Sequence, residues 1–198
     1  GHYLPMLILA ALARVVPERV IAESGSPLWN VYFTGEHEGR RYVRMFFMNG
    51  GQGASAAADG PNCLSFPSNV ATQPVEMFES AAPLLVTEKS LIPGRAGAGR
   101  TRGGLGQRIG FRALGPEPVT ATYRHERVAH PPRGILGGES GRGGRDLLNG
   151  EKVPSKARIT LRPGDTLTFE TPGGGGFGPP SGRDASGAAR DADEGYAA

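Results

Sequence analysis

Asn49-Gly50-Gly51-Gln52-Gly53-Ala54 and Gly99-Arg100-Thr101-Arg102-Gly103-Gly104-Leu105-Gly106 bracket a stretch that also holds Asp59-Gly60, Asn69, Pro74-Val75-Glu76 and Glu79. A buried strand needs apolar alternation and a surface loop needs only solubility. Closely spaced glycines beside carboxylates therefore point to backbone held tightly around something. The series reads as one side of a site, with Glu76 and Glu79 as its catalytic acids and Asn49, Gly50, Gly51, Asp59, Asn69 and Arg102 as its substrate-binding positions. If Pro74 starts a helical turn, the i, i+3 spacing of Glu76 and Glu79 puts both carboxylates on one face, where mutual repulsion favours proton transfer. The competing reading has one of them capping a helix or binding an arginine of the glycine loop.

Upstream, Asn30 to Thr34 and Arg41 to Met48 are rich in aromatic and β-branched residues around Gly35 to Gly39, which predicts a strand pair. Val43 to Met48 is apolar on both faces and is expected inside the fold. Nearer the start, Leu4, Leu7, Ile8, Ala11, Leu12 and Val15 recur at helical spacing, and Met6, Leu9 and Ala10 broaden the face, so a largely buried helix is expected until Pro17 ends it.

Downstream of the glycine loop, Phe66 to Thr72 reads as irregular, and Val75 to Lys89 as extended segments broken at Pro83. Gln107 to Ala113 and Val119 to Tyr123 read as strands. Arg158 to Leu161 and Thr166 to Glu170 flank Pro163-Gly164-Asp165 and predict a β-hairpin. The expected fold is α+β and predominantly β: a buried N-terminal helix, glycine-rich loops and a β-rich C-terminal half. Residues 1–180 form its body, and 181–198 a polar tail that is a short helix or disordered.

Glycine (32) and proline (17) make up about a quarter of the 198 residues, a level at which low complexity comes into question. The glycines have no triplet period and lie between apolar runs, which excludes collagen and leaves a loop-rich folded protein. A net charge of +3 from 22 basic and 19 acidic residues is no nucleic-acid footprint. No run approaches the ~20 apolar residues that cross a bilayer. Leu4 to Ala13 lacks the basic leading region of a secretory signal. The lone Cys63 can form no internal disulfide and is compatible with a reducing cytoplasm; it sits in the apolar setting Cys63-Leu64-Ser65-Phe66, which points to packing rather than chemistry.

Three motifs imitate known sites. Gly94 to Thr101 nearly spells a phosphate loop, but three glycines in Arg102 to Gly106 disfavour the helix that such a loop must open. Gly51 to Ala56 imitates a dinucleotide fingerprint with no room for the crossover helix before Asp59-Gly60-Pro61. Arg102-Gly103-Gly104 and Arg142-Gly143-Gly144 occur singly among hydrophobic strands, unlike RNA-binding repeats. The four histidines, His2, His37, His125 and His130, include no metal-ligand pair of the usual spacing, so no metal site is expected from this chain.

The order of these motifs resembles the C-terminal part of the hydantoinase B/oxoprolinase family, which includes subunits of acetone and acetophenone carboxylases and of caprolactamase. The matching positions are Gly50 to Ala54, Asp59-Gly60, Pro74-Val75-Glu76 with Glu79, and Arg102 to Gly106. They continue with Pro131 to Gly138, Asn149-Gly150, Pro154-Ser155-Lys156 and Thr171 to Pro179. One position departs: the family's usual aspartate-serine is here Gly94-Arg95. The resemblance implies a cytoplasmic, hetero-oligomeric, ATP-dependent enzyme that opens a cyclic amide such as a hydantoin, 5-oxoproline or a lactam. It implies a hydantoinase A-type ATP-binding subunit and the N-terminal half of the B-type subunit as partners. Divalent metal and ATP would belong to the complete complex rather than to this chain, whose part is to shape the pocket for a small-molecule substrate. A ketone carboxylase subunit and a non-catalytic assembly subunit are the alternatives; no nucleic acid and no membrane are expected.

Overall fold

The computed structural model describes residues 1–64 and 66–197, so the expectations touching Ser65 and Ala198 lie outside the described residues. Two antiparallel sheets face each other across one core. The first has strand order β2-β1-β5-β8, with β1 Trp29–His37, β2 Arg40–Met48, β5 Val119–Arg124 and β8 Lys156–Leu161. The second has order β3-β4-β9-β6-β7, with β3 Leu84–Leu91, β4 Gln107–Ala113, β6 Arg145–Leu148, β7 Glu151–Val153 and β9 Thr166–Glu170.

Period-2 alternation sends Trp29, Val31 and Phe33 of β1, Val119, Ala121 and Tyr123 of β5, Ile109 and Phe111 of β4, and Leu167 and Phe169 of β9 into that core, all but fully buried. Each such large side chain contributes roughly 1.5–3 kcal/mol relative to exposure. The short helix α2 (Val75–Glu79) is pinned by Phe78, whose ring meets Phe46 edge-on at 5.1 Å and Phe111 at 5.5 Å. The helices α1 (Tyr3–Leu12) and α3 (Ala185–Asp193) lie outside this core. Among the described residues no helix is long and apolar enough to cross a membrane.

Several expectations are corrected. Helix α1 is exposed, not buried: Leu4, Leu7 and Ile8 are 62%, 59% and 50% accessible, and within the helix only Met6 is buried. The segment is apolar all round, while the fold offers it a narrow strip of contact where Met6 Sδ accepts the Ser24 N–H and Leu9, Ala13 and Val16 pack. Strand β2 is an edge strand with Val43 exposed.

The hairpin expected at Pro163-Gly164-Asp165 does not form. β8 pairs with β5 and β9 with β4 and β6, so this turn carries the chain from one sheet to the other. The alternation that predicted two strands was silent on which strands they would meet. The segment from Val75 begins as helix α2 rather than extended chain. A β6–β7 hairpin forms instead on Asn149-Gly150, both with positive φ (51° and 87°), as a two-residue turn of this kind requires.

Candidate functional site

Strand register places the glycine-rich segments at one end of the sandwich. Trp29 pairs with Met48, Arg108 with Glu170, and Arg145 with Glu170, so β2 runs out into 49–54 where β9 runs out into 171–178, and 94–106 and 131–144 lead into β4 and β6 at that same end. Asn49 joins the two sheets there: its carbonyl accepts from Gln107 Nε2 (2.9 Å) and from Thr171 Oγ1 (3.0 Å).

The centre of this end is Pro172 to Phe177. Gly174 N–H donates to Gly104 O and its carbonyl accepts from Gly97; Gly175 donates to Glu23 O and accepts from Ala54; Gly176 donates to Glu139 O and accepts from Ile135, all within 2.8–3.0 Å. One extended segment is thus bonded on all sides to four others, unlike a strand, which bonds on two. A Cβ on Gly173 would lie 2.1 Å from Arg95 O, and one on Gly176 2.1 Å from Ala98 O. That three-residue recurrence is the period of a polyproline II helix, and only glycine permits such close approach. The phosphate-loop imitation, 94–101, is absorbed into this layer, and no helix follows it.

Arginines lock carboxylates around the layer. Glu23 accepts from Arg133 N–H (3.0 Å), from the Arg133 guanidinium (Nε 3.0 Å, Nη2 2.9 Å) and from Arg127 Nη1 (2.7 Å). Burial opposes its ionisation, but these partners outweigh burial and hold it below the usual carboxylate range. Glu170 is fully buried and receives Arg95, Arg108 (Nη2 2.6 Å) and Arg145. Burial again opposes, and the guanidinium hydrogen bonds of Arg145 and Arg108 with the charge of Arg95 win, lowering its pKa. Arg95, the departure from the family pattern, thus has a structural partner in Glu170.

His125 donates or accepts at Asp146 through Nδ1 (2.8 Å), stacks on Trp29 at 4.0 Å and meets Asn30 O through Nε2 (3.0 Å). Burial, against the His125 hydrogen bond, raises the Asp146 pKa. None of these centres was singled out in the sequence, because their partners are 21 to 110 residues apart.

The residues expected in the site are brought together only in part. Asp59 and Arg102 meet: Asp59 Oδ1 accepts the Arg102 N–H at 2.7 Å and, with Oδ2, binds Arg183 at 2.9 and 3.0 Å. Arg102 Nε donates to Asp191 at 2.7 Å and its guanidinium lies 4.9 Å from the Tyr196 ring, so this pair ties α3 to the glycine layer. Burial opposes ionisation of Asp59, yet the Arg183 and Arg102 hydrogen bonds lower its pKa.

Gly50 and Gly51 press on backbone, at 2.6 Å from Gly25 O and 1.8 Å from Gly104 O for an added Cβ. Asn49 is buried, gives Nδ2 to Val70 O at 3.1 Å and leaves Oδ1 without a partner among the described residues. Asn69, next to Val70, is exposed with φ 52°. On α2, Glu79 Oε1 accepts the Val86 N–H at 2.7 Å, whereas the exposed Glu76 side chain makes no hydrogen bond or ion pair among the described residues. Nor does any such bond join α2's carboxylates to Asp59 or Arg102.

The hydantoinase B/oxoprolinase family profile matches residues 1–180. The chain belongs to the hydantoinase B/oxoprolinase family. It is similar to the B-type subunit of a putative D-/L-hydantoinase from Pseudomonas sp. strain NS671, at 30% identity over 190 residues that cover 91% of this chain and 31% of that protein. In fold, the chain resembles the ATP-dependent caprolactamase from Pseudomonas jessenii (TM-score 0.84, 23% identity, 95% of this chain and 35% of that one). It also resembles nucleotide-free acetone carboxylase (TM-score 0.77, 18% identity, 99% and 32%). The chain therefore spans about a third of the length of these relatives.

Among its described residues no three His, Cys, Asp or Glu side chains converge on a point where a metal ion would sit. The donor set for the divalent metal that the family resemblance implies is not met by this chain's described residues.

Cys63 packs with Sγ 3.6 Å from Leu105 O, and burial, only partly offset by Lys89, pushes its thiol up to about 12. At pH 8 on the order of 10⁻⁴ of it is thiolate. Iodoacetamide labelling of the native chain at pH 8 is therefore expected to run more than a hundredfold slower than in denaturant. Comparable rates would remove the thiol from its apolar setting.

Proposed function

We propose that this chain works within the B-type subunit of an ATP-dependent cyclic-amide hydrolase that opens a hydantoin, 5-oxoproline or lactam ring, and that it shapes the wall of the substrate pocket. The observation that carries this reading is the match, over nearly the whole chain, to a protein described as the B-type subunit of a hydantoinase. An A-type subunit would phosphorylate the amide oxygen and so turn a poor electrophile into an activated one. The metal and ATP are assigned to the rest of that complex, which includes the N-terminal half of the B-type subunit. The apolar face left open on α1 supports a further packing partner for this chain.

Within the chain, Asn49, Gly50, Gly51, Asp59, Asn69 and Arg102 are proposed as the substrate-facing wall, and Glu76 with Glu79 as its acids. Ring opening requires a proton at the departing nitrogen, and of the two acids Glu76 is the one whose side chain has no hydrogen-bond or ion-pair partner among the described residues, while Glu79 is engaged with the Val86 backbone. Glu76 would deliver that proton and Glu79 would fix the orientation of α2.

In the assembled complex, Glu76→Gln is expected to lower kcat by ~10²-fold or more with the melting temperature unchanged. Glutamine keeps the size of the side chain and removes its proton. Unchanged turnover would take Glu76 out of the site. Supplying ATP with hydantoin, 5-oxoproline or caprolactam, against ATP with bicarbonate and acetone, separates hydrolase from ketone carboxylase; turnover in the second mixture alone would overturn the hydrolase reading.

A further inference from the structure

A cleft of about 720 Å³ opens between the glycine layer and the β6–β7 hairpin, within the size range of small-molecule sites. Its charged lining is Arg95, Arg142, Arg145 and Lys152, with Glu139 the one carboxylate among the lining residues. Two of the arginines are fixed. Arg95 is 7% exposed and donates through Nη1 to Gly143 O at 2.6 Å and through Nη2 to Glu170; Arg145 holds Glu170 from the other side, with Nη2 at 3.1 Å.

The other two cations are uncommitted. Among the described residues Arg142 and Lys152 have no hydrogen-bond or ion-pair partner for their side chains, although the Arg142 backbone is held by Arg95 O (2.8 Å) and by the Gly173 N–H (3.1 Å). Four cations thus line the space with one carboxylate, Glu139, and the buried Glu170 behind them is shared by Arg95, Arg145 and, from outside the lining, Arg108. The two uncommitted positive charges of Arg142 and Lys152 match a dianion, and a guanidinium and an ammonium on one lining suit a tetrahedral oxyanion that accepts several hydrogen bonds at once. The walls are backbone locked in the glycine layer, so little reorganisation accompanies binding.

We propose that this cleft binds the dianionic phosphate group of a small molecule, with Arg142 and Lys152 as the gripping residues and Arg95 and Arg145 as a fixed positive floor. The cleft's lining includes neither Glu76 nor Glu79, and the proposal does not depend on the cyclic-amide reading.

The test titrates inorganic phosphate into the full chain, with any subunits that purify with it, by calorimetry at low salt. Saturable one-to-one binding is expected, strengthening as pH rises through the second ionisation of phosphate. It should weaken at least tenfold in the double variant Arg142→Gln/Lys152→Gln, whose side chains are exposed and make no hydrogen bond or ion pair among the described residues. The charge-matched control Arg40→Gln/Arg41→Gln, on the β1–β2 hairpin, should bind as the parent does. Equal loss in both double variants would reduce the effect to net charge and overturn the proposal. Acetate binding as tightly as phosphate would overturn the dianion assignment, and malonate, a planar-carboxylate dianion, binding more tightly than phosphate would overturn the assignment to a phosphate group. Capture of an acidic peptide through Arg142 and Lys152 with no phosphate binding would replace the small-molecule site by a protein contact.

Discussion

Gly51→Ala is expected to lower the midpoint of thermal unfolding by roughly 6–12 °C. An added Cβ would stand 1.8 Å from Gly104 O and 2.3 Å from Gly104 C, and no rotation of a methyl relieves a clash with main chain. Gly104 has no freedom to retreat: its N–H donates to Gln52 O at 2.7 Å and its carbonyl accepts from Gly174 at 2.9 Å. Gly51 is held likewise, donating to Pro172 O and accepting from Gly25. Overpacking a rigid site costs about 3 kcal/mol at the upper end of the usual range, and each kcal/mol moves the midpoint by about 2–4 °C in a chain of this size. Gly39→Ala is the control. Gly39 has open space for a Cβ and φ 73°, so it carries only the left-handed cost of about 1–2 kcal/mol. Scanning calorimetry of both variants ranks them, and Gly51→Ala no worse than Gly39→Ala would mean that the glycine layer is looser than its hydrogen bonds indicate.

Glu170→Gln is expected to destabilise the fold by about 3–5 kcal/mol, the usual cost of breaking a buried ion pair by removing one partner. Arg95, with 9% of its side chain exposed, cannot turn to water, whereas Arg108 and Arg145, at 38% and 49%, can. Arg145→Gln should therefore cost under about 1 kcal/mol, since it leaves Glu170 two guanidinium partners.

The variant also has a pH signature. The folded pKa of Glu170 lies below its unfolded value of about 4.3, so its stabilisation is fully present above that value and is lost as pH falls through the lower folded pKa. Urea unfolding of parent and Glu170→Gln should show a gap that is constant near neutrality and narrows below about pH 4. A gap that stays constant into acid would assign the stabilisation to something other than this carboxylate.

Strand composition was legible wherever a short segment carried its own evidence. Gln107 to Ala113 and Thr166 to Glu170 are strands with the bounds read from alternation, and Asn30 to Thr34 and Arg41 to Met48 form their hairpin, because side-chain period and turn chemistry are local. Pairing was not legible beyond the nearest neighbour. Pro163-Gly164-Asp165 looks like a hairpin turn from either side, yet Leu161 and Leu167 face one core from opposite sheets. In the site, the spacing of Glu76 and Glu79 placed both on one short helix. That Glu79 is occupied by Val86, and Asp59 by Arg183, depends on segments far along the chain.

By itself the sequence determined that the chain is rich in β-strands, that its glycines demand close backbone contact, and that its motifs fall in the order of the hydantoinase B/oxoprolinase family, all from patterns spanning a few residues each. Only the tertiary structure decided what those glycines touch. Gly174 to Gly176 have no side chains to record their neighbours, so their partners at Glu23, Ala54, Gly97, Gly104, Ile135 and Glu139 leave no trace in local composition. The same holds for buried charge: Arg95 reads as one arginine among many until folding brings Glu170, 75 residues away, against it. The exposure of α1 was also decided there, because an all-apolar helix specifies that it needs cover without specifying how much of it this fold supplies.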